Sequence, residues 1–156
     1  MSIVYCIDIP STAITVAVDV VEFQPADDHP LEIVAAFLFQ TTDFGDAAEE
    51  ILPLQIIRGF TTSGSVGGTA GTPRPLRRDG TAQFVHEVVN TTLASVGTSH
   101  VLLTDGWNVR MPYVIHPWDW EEFPMASQLD TTMVLRLPSA PIDSITIRGS
   151  VWVREY

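Results

Sequence analysis

Alternation is the feature that most limits what this chain can become. Ile14, Val16, Val18 and Val20 alternate with Thr15, Ala17 and Asp19. Near the C-terminus Ile145, Ile147, Val151 and Val153 fall on one face, while Thr146, Arg148, Ser150 and Arg154 fall on the other. A repeat of two sends successive side chains to opposite sides of a pleated strand, so both stretches read as half-buried β-strands. Further β-type runs lie at about 2–8, 31–40, 51–59, 82–90, 99–104, 107–115 and 131–137, each bounded by Pro, Gly, Asp or Ser. Short strands at this spacing predict an all-β chain: an antiparallel β-sandwich or a jelly-roll-like barrel. Asp46 to Glu50 has good helix formers in too short a run to stand alone, which predicts a single turn there.

The 156 residues, 46% of them hydrophobic, suffice for one core in one domain spanning 1–156. Within it, Leu31, Ile33, Ala35, Phe37 and Phe39 are apolar on one face of a strand, and Val34, Ala36 and Leu38 on the other. Both faces need cover, from a loop overlying a central strand or from another subunit.

Charge removes several functions. Eight basic residues against 19 acidic ones give a net charge of -11, the opposite of the footprint that nucleic acid or anionic lipid requires. We expect neither as a partner. All eight cations are arginine, so Schiff-base chemistry and a phosphate-loop lysine are excluded. Cys6, between Tyr5 and Ile7, has no second cysteine to pair with and reads as a plain buried thiol, which fits synthesis in a cytoplasm. The N-terminus lacks the pattern of a secretory or transit signal, and the longest apolar run, Ile33 to Phe39, is far short of the ~18 residues of a membrane helix.

The segment 60–80 breaks the strand pattern. Its first half is small and flexible and its second is Thr72-Pro73-Arg74-Pro75-Leu76-Arg77-Arg78, stiff and cationic. Ordered domains rarely carry a loop of about 20 residues without a use for it. No acid occurs between Ile51 and Arg78, but Arg58, Arg74, Arg77 and Arg78 do. We therefore read 60–80 as an extended arm or loop whose arginines, with Pro75, contact carboxylates of a neighbouring protein. The alternative is a solvated loop pairing with the chain's own acids. The glycines have neither phosphate-loop spacing nor a GxGxxG opening a helix.

A second concentration of chemistry is His116-Pro117-Trp118-Asp119-Trp120-Glu121-Glu122-Phe123. Trp118 and Trp120 suit a protein interface, and the same pair could stack on sugar rings, so a carbohydrate-binding module is the alternative from a different class. Asp119, Glu121 and Glu122 are too close in sequence to be assigned to opposite sides of a glycosidic bond. His29, His86, His100 and His116 show no metal-ligand spacing, Asp27-Asp28 reads as a turn rather than a calcium loop, and no serine sits in a nucleophile elbow. Neither a catalytic residue, a metal nor a cofactor is expected. Asn90-Thr91-Thr92 matches a glycosylation sequon and reads as a strand end.

The C-terminal run from Leu137 to Glu155 resembles the ending of a group of small β-rich virion proteins of tailed bacteriophages, and Thr72-Pro73-Arg74-Pro75 after a Gly-rich stretch, Asn90-Thr91-Thr92 and Asn108-Val109-Arg110 follow the same order as in that group. The similarity covers about the last two-thirds of the chain. By resemblance it implies a structural role in the particle, on the head: a capsid decoration, or cement, protein. Its partners would be the major capsid protein or another virion protein and further copies of itself, as a homotrimer. A tail, neck or head-fibre component is the alternative within the same class. The N-terminal third and the 116–123 loop depart from the pattern.

Overall fold

The computed structural model describes residues 2–42, 50–65, 67, 71–77, 79–115 and 131–156. Among these residues are ten strands: β1 Ile3–Ile14, β2 Val18–Gln24, β3 Leu31–Gln40, β4 Ile51–Phe60, β5 Arg74–Pro75, β6 Val85–Asn90, β7 His100–Asn108, β8 Tyr113–Ile115, β9 Thr132–Leu137 and β10 Ile145–Glu155. They form two five-stranded antiparallel sheets, ordered β5-β1-β10-β3-β8 and β6-β2-β9-β4-β7. β1 pairs with β10, β2 with β9, β3 with β8 and β4 with β7. That nesting is one long hairpin rolled into two layers, the strand order of a jelly roll. The sheets stay open as a sandwich and do not close into a barrel. β5 and β6 come from the long excursion between β4 and β7, and each extends one sheet at its edge.

Period-two patterning fills the space between the layers. Tyr5, Ile7 and Ile9 of β1 and Ile147, Val151 and Val153 of β10 face Val21 and Phe23 of β2 and Leu135 of β9, all with essentially no exposed surface. Phe84 bridges the layers, edge-on to Tyr5 at 5.7 Å and to Phe23 at 6.3 Å between ring centres. The C-terminal strand follows its predicted faces.

Elsewhere the alternation misled. Ile14 to Val20 is not one strand: β1 ends at Ile14, β2 begins at Val18, and the chain turns a corner between the two sheets. Ile14 and Val18 are both buried there, while Val16 is 44% exposed. Alternation of side chains survives a corner in the sequence even though the pleat does not. The runs at 99–104 and 107–115 divide differently too, because β7 continues through Asp105-Gly106 and the break comes at 109–112. There the Trp107 indole donates to the Met111 carbonyl at 2.7 Å and Arg110 N–H donates to Asn108 Oδ1 at 3.0 Å. β5 was not expected at all. The turn expected at Asp46–Glu50 lies outside the described residues except for Glu50, which is not helical.

The excursion between β4 and β7 lays a third layer on the second sheet. Thr62 bridges to Ser95 and Ser65 to Thr92, making a small ribbon, and Ile57, Phe60, Ala94 and Val134 form a separate apolar cluster. Two buried carboxylates of β2 pin this ribbon. Asp19 accepts Ala94 N–H at 2.7 Å and binds Arg136 through Nε at 2.6 Å and an Nη at 3.1 Å, and that guanidinium also donates to the Ala94 carbonyl and lies 4.7 Å from the Phe60 ring centre. Glu22 accepts from the Ser63 hydroxyl, Gly64 N–H and Asn90 Nδ2. Hence β2 is covered on both faces, the outer one through two buried carboxylates, Asp19 met by Arg136 and Ala94 N–H and Glu22 by neutral donors.

Two of the three tyrosines make the fold sensitive to alkali. Burial pushes the Tyr113 hydroxyl far above its ordinary value, helped by Asp105, whose carboxylate accepts its proton at 2.9 Å. Burial, then the charge of Glu155, raises Tyr5. A raised folded-state pKa means that the unfolded chain releases these protons first. The stability they confer is complete below about pH 10 and is lost as the pH climbs past it. The melting temperature should therefore fall steeply above about pH 10, and the tyrosinate absorbance of Tyr5 and Tyr113 should appear only with unfolding. Normal titration of Tyr5 and Tyr113 in the folded protein would contradict this.

Candidate interaction surface

Three of the seven expected contact residues, Arg74, Pro75 and Arg77, lie at the β5 edge of the first sheet. β5 pairs with β1 so that Arg74 lies opposite Cys6 and Pro75 opposite Tyr5, and Leu76 N–H donates to the Val4 carbonyl at 2.9 Å. This fixes Arg74 to Leu76 along the sheet edge. Earlier in the segment Ser63 and Gly64 are held by Glu22, and Gly71 by His86, whose Nε2 donates to the Gly71 carbonyl at 2.7 Å. The carbonyl can only accept, so the proton sits on Nε2.

Across the outer face of this sheet, Cys6 of β1 lies opposite Trp152 of β10, which lies opposite Ala35 of β3. One row along, Asp8, Ser150, Phe37 and Val114 line up across four strands, and beyond them Arg148 faces Phe39. The expectation of a buried Cys6 is corrected here. Tyr5 and Ile7 take the core side of β1, so the residue between them faces outward and is half-buried. Burial remains the largest influence on the Cys6 thiol and pushes its pKa up, so it is a poor nucleophile.

The aromatic groups here are only partly covered. Phe37 and Trp152 pack edge-on with ring centres 5.4 Å apart. Phe39 is 41% exposed and Val114 54%. A hollow of about 180 Å³ beside Phe39 is lined by Gln40, Val109, Arg110, Met111 and Pro112. Val34 and Ala35, in contrast, are buried within the single chain. An extra residue in β3 opposite the Trp152–Val153 step puts Ile33 and Ala36 on the core side and leaves Phe37 and Phe39 outside. The doubly apolar run thus has one face in the core and a partly exposed aromatic outer face.

Charge is distributed just as unevenly. Arg154 is held by Glu32 at 3.1 Å and Arg136 by Asp19. Arg74, Arg77 and Arg148 form no ion pair with a described residue, in a chain with 19 acids. Arg74 and Arg148 flank the aromatic pair, and Arg77 follows at the same edge. Arg58 is not brought to them. It lies on β4 in the other sheet, between Met133 and His100. Arg78, Trp118 and Trp120, like the acids of 119–122, lie outside the described residues. Asn90 ends β6 as expected and is fully buried with its amide nitrogen bonded to Glu22 and Glu87, so the folded sequon offers no acceptor.

Trp152, Phe37, Phe39, Val114 and Arg148 were not singled out as contact residues by the sequence. The available signal was the placement of Arg148, and of Trp152 beside it, on the polar side of the C-terminal alternation. Among the described residues no three metal-ligating side chains cluster. No family model matches the chain, and neither a curated protein nor a solved structure is significantly similar to it.

Proposed function

We propose that the chain is a virion structural protein of a tailed bacteriophage, a decoration protein that stabilises the head by adhering to the major capsid protein. The observation that carries the reading is the outer face of the first sheet: a half-buried Trp–Phe pair, an exposed Phe and Val, and two arginines that form no ion pair with a described residue, on a two-layer body. Tryptophan and arginine at the centre of a patch are what protein interfaces use to concentrate binding energy. The sequence resemblance to small phage virion proteins points the same way.

Adhesion by many weakly binding copies gains from self-association, because each further contact of a linked copy is intramolecular. A homotrimer seated on a three-fold axis of the shell completes the proposal. The chain is made in the bacterial cytoplasm and ends in the particle, and it acts by contact alone. Heads and tails prepared separately from particles lacking this gene product provide the test. The purified chain should pellet with heads at a fixed, saturable copy number and raise their resistance to heat. Pelleting with tails would move it to another part of the virion, and pelleting with neither would remove the reading.

A further inference from the structure

We infer that the outer face of the first sheet takes an acidic protein surface, the carboxylates of the partner meeting Arg74 and Arg148 on either side of Trp152 and Phe37. The inference rests on the reading of this face as the adhering surface and adds the chemistry of what it adheres to. Its basis is a mismatch within the molecule. With 19 acids and eight arginines, carboxylates are abundant, and the arginines next to them are paired: Arg136 with Asp19, Arg154 with Glu32. Arg74 and Arg148 are exposed and make no ion pair with a described residue. Of the acids on the same described face, Glu32 is committed to Arg154 and to the Tyr156 hydroxyl, which leaves Asp8. Among the described residues of this face, in a molecule of net charge -11, the charge turned outward is thus net positive and lies beside aromatic rings.

Desolvating a guanidinium is unfavourable unless a carboxylate replaces the lost water, and Arg presents a fork that matches one. A second copy meeting this face with its own would set arginines against arginines. An acidic foreign surface supplies the missing charges, while Phe39, Val114 and the neighbouring hollow accept an apolar side chain beside them.

Selection of random peptides on the immobilised wild-type chain, counter-selected on the Arg74→Glu/Arg148→Glu variant, reads the partner's chemistry without presupposing its identity. Both positions are exposed, so the variant should fold, and a Trp152→Ser variant is the second control. The recovered peptides should be enriched in Asp and Glu beside an aromatic or aliphatic residue. They should bind either variant at least ~30-fold more weakly, and should lose about tenfold in affinity as salt rises from roughly 50 to 300 mM. Recovery of neutral or basic peptides, of peptides that bind all three proteins alike, or of none would overturn the inference. So would sedimentation showing that the wild-type chain self-associates through Trp152, which would assign the face to a second copy. The head-binding result stands apart: heads bound equally by wild type and variants remove this inference and leave the decoration reading standing.

Discussion

Asp19→Ala should lower the stability of the fold by about 3–5 kcal/mol, the cost of leaving a buried guanidinium without its counter-charge. Asp19 has no exposed surface, accepts three hydrogen bonds, and joins β2, β9 and the overlying ribbon at one point. Removing the carboxylate strands Arg136 and Ala94 N–H together. For a domain of this size the melting temperature should drop by roughly 10 °C in calorimetry. The paired change Asp19→Leu/Arg136→Met should recover much of the loss, since an apolar pair of similar volume needs no counter-charge. A drop below about 1 kcal/mol for Asp19→Ala would mean that the ribbon is held by its apolar cluster instead.

Gly149→Val should be nearly as damaging, by about 3 kcal/mol, for a steric reason. Gly149 sits in β10 opposite Leu38 of β3, and a Cβ there would fall 2.0 Å from the Phe37 carbonyl oxygen. The obstacle is backbone in the middle of a sheet, so no side-chain rotation relieves it. Separating β10 from β3 at this point also displaces Phe37 from Trp152, and so disturbs the aromatic pair at the centre of the proposed contact. Calorimetry and near-ultraviolet circular dichroism should report the two effects together. A variant with wild-type stability and an unchanged aromatic signal would contradict this account of the strand pairing.

Much of the architecture was legible because strand alternation writes the core face directly into sequence. Ile145 to Val153 is the clearest case, and the division into short strands between Pro, Gly and Asp led to a sandwich with jelly-roll strand order. Corners are invisible to the same signal: Ile14 to Val20 keeps its alternation across the passage from one sheet to the other. β2 was hard to read because its outer face is buried through Asp19 and Glu22, residues that look solvent-exposed until their partners in the ribbon are known. Those partners, Ser63, Gly64 and Ala94, lie more than 40 residues away. The candidate surface was legible only in part. Arg74, Pro75 and Arg77 were identified from the cationic segment, but their placement beside Trp152 depends on the two-residue strand β5, too short to leave a pattern. Trp152 itself was passed over in favour of Trp118 and Trp120, which cluster in sequence and lie outside the described residues.

Adhesion through the outer face of the first sheet is the central claim, and comparative binding to depleted heads tests it most directly. Wild type, Trp152→Ala and the control Val96→Ser, an exposed residue on the far ribbon, are each titrated onto heads lacking the protein and pelleted. Loss of a hot-spot tryptophan should weaken binding by at least ~30-fold, with the control indistinguishable from wild type. Equal uptake of wild type and a folded Trp152→Ala variant would show that the particle is gripped somewhere else.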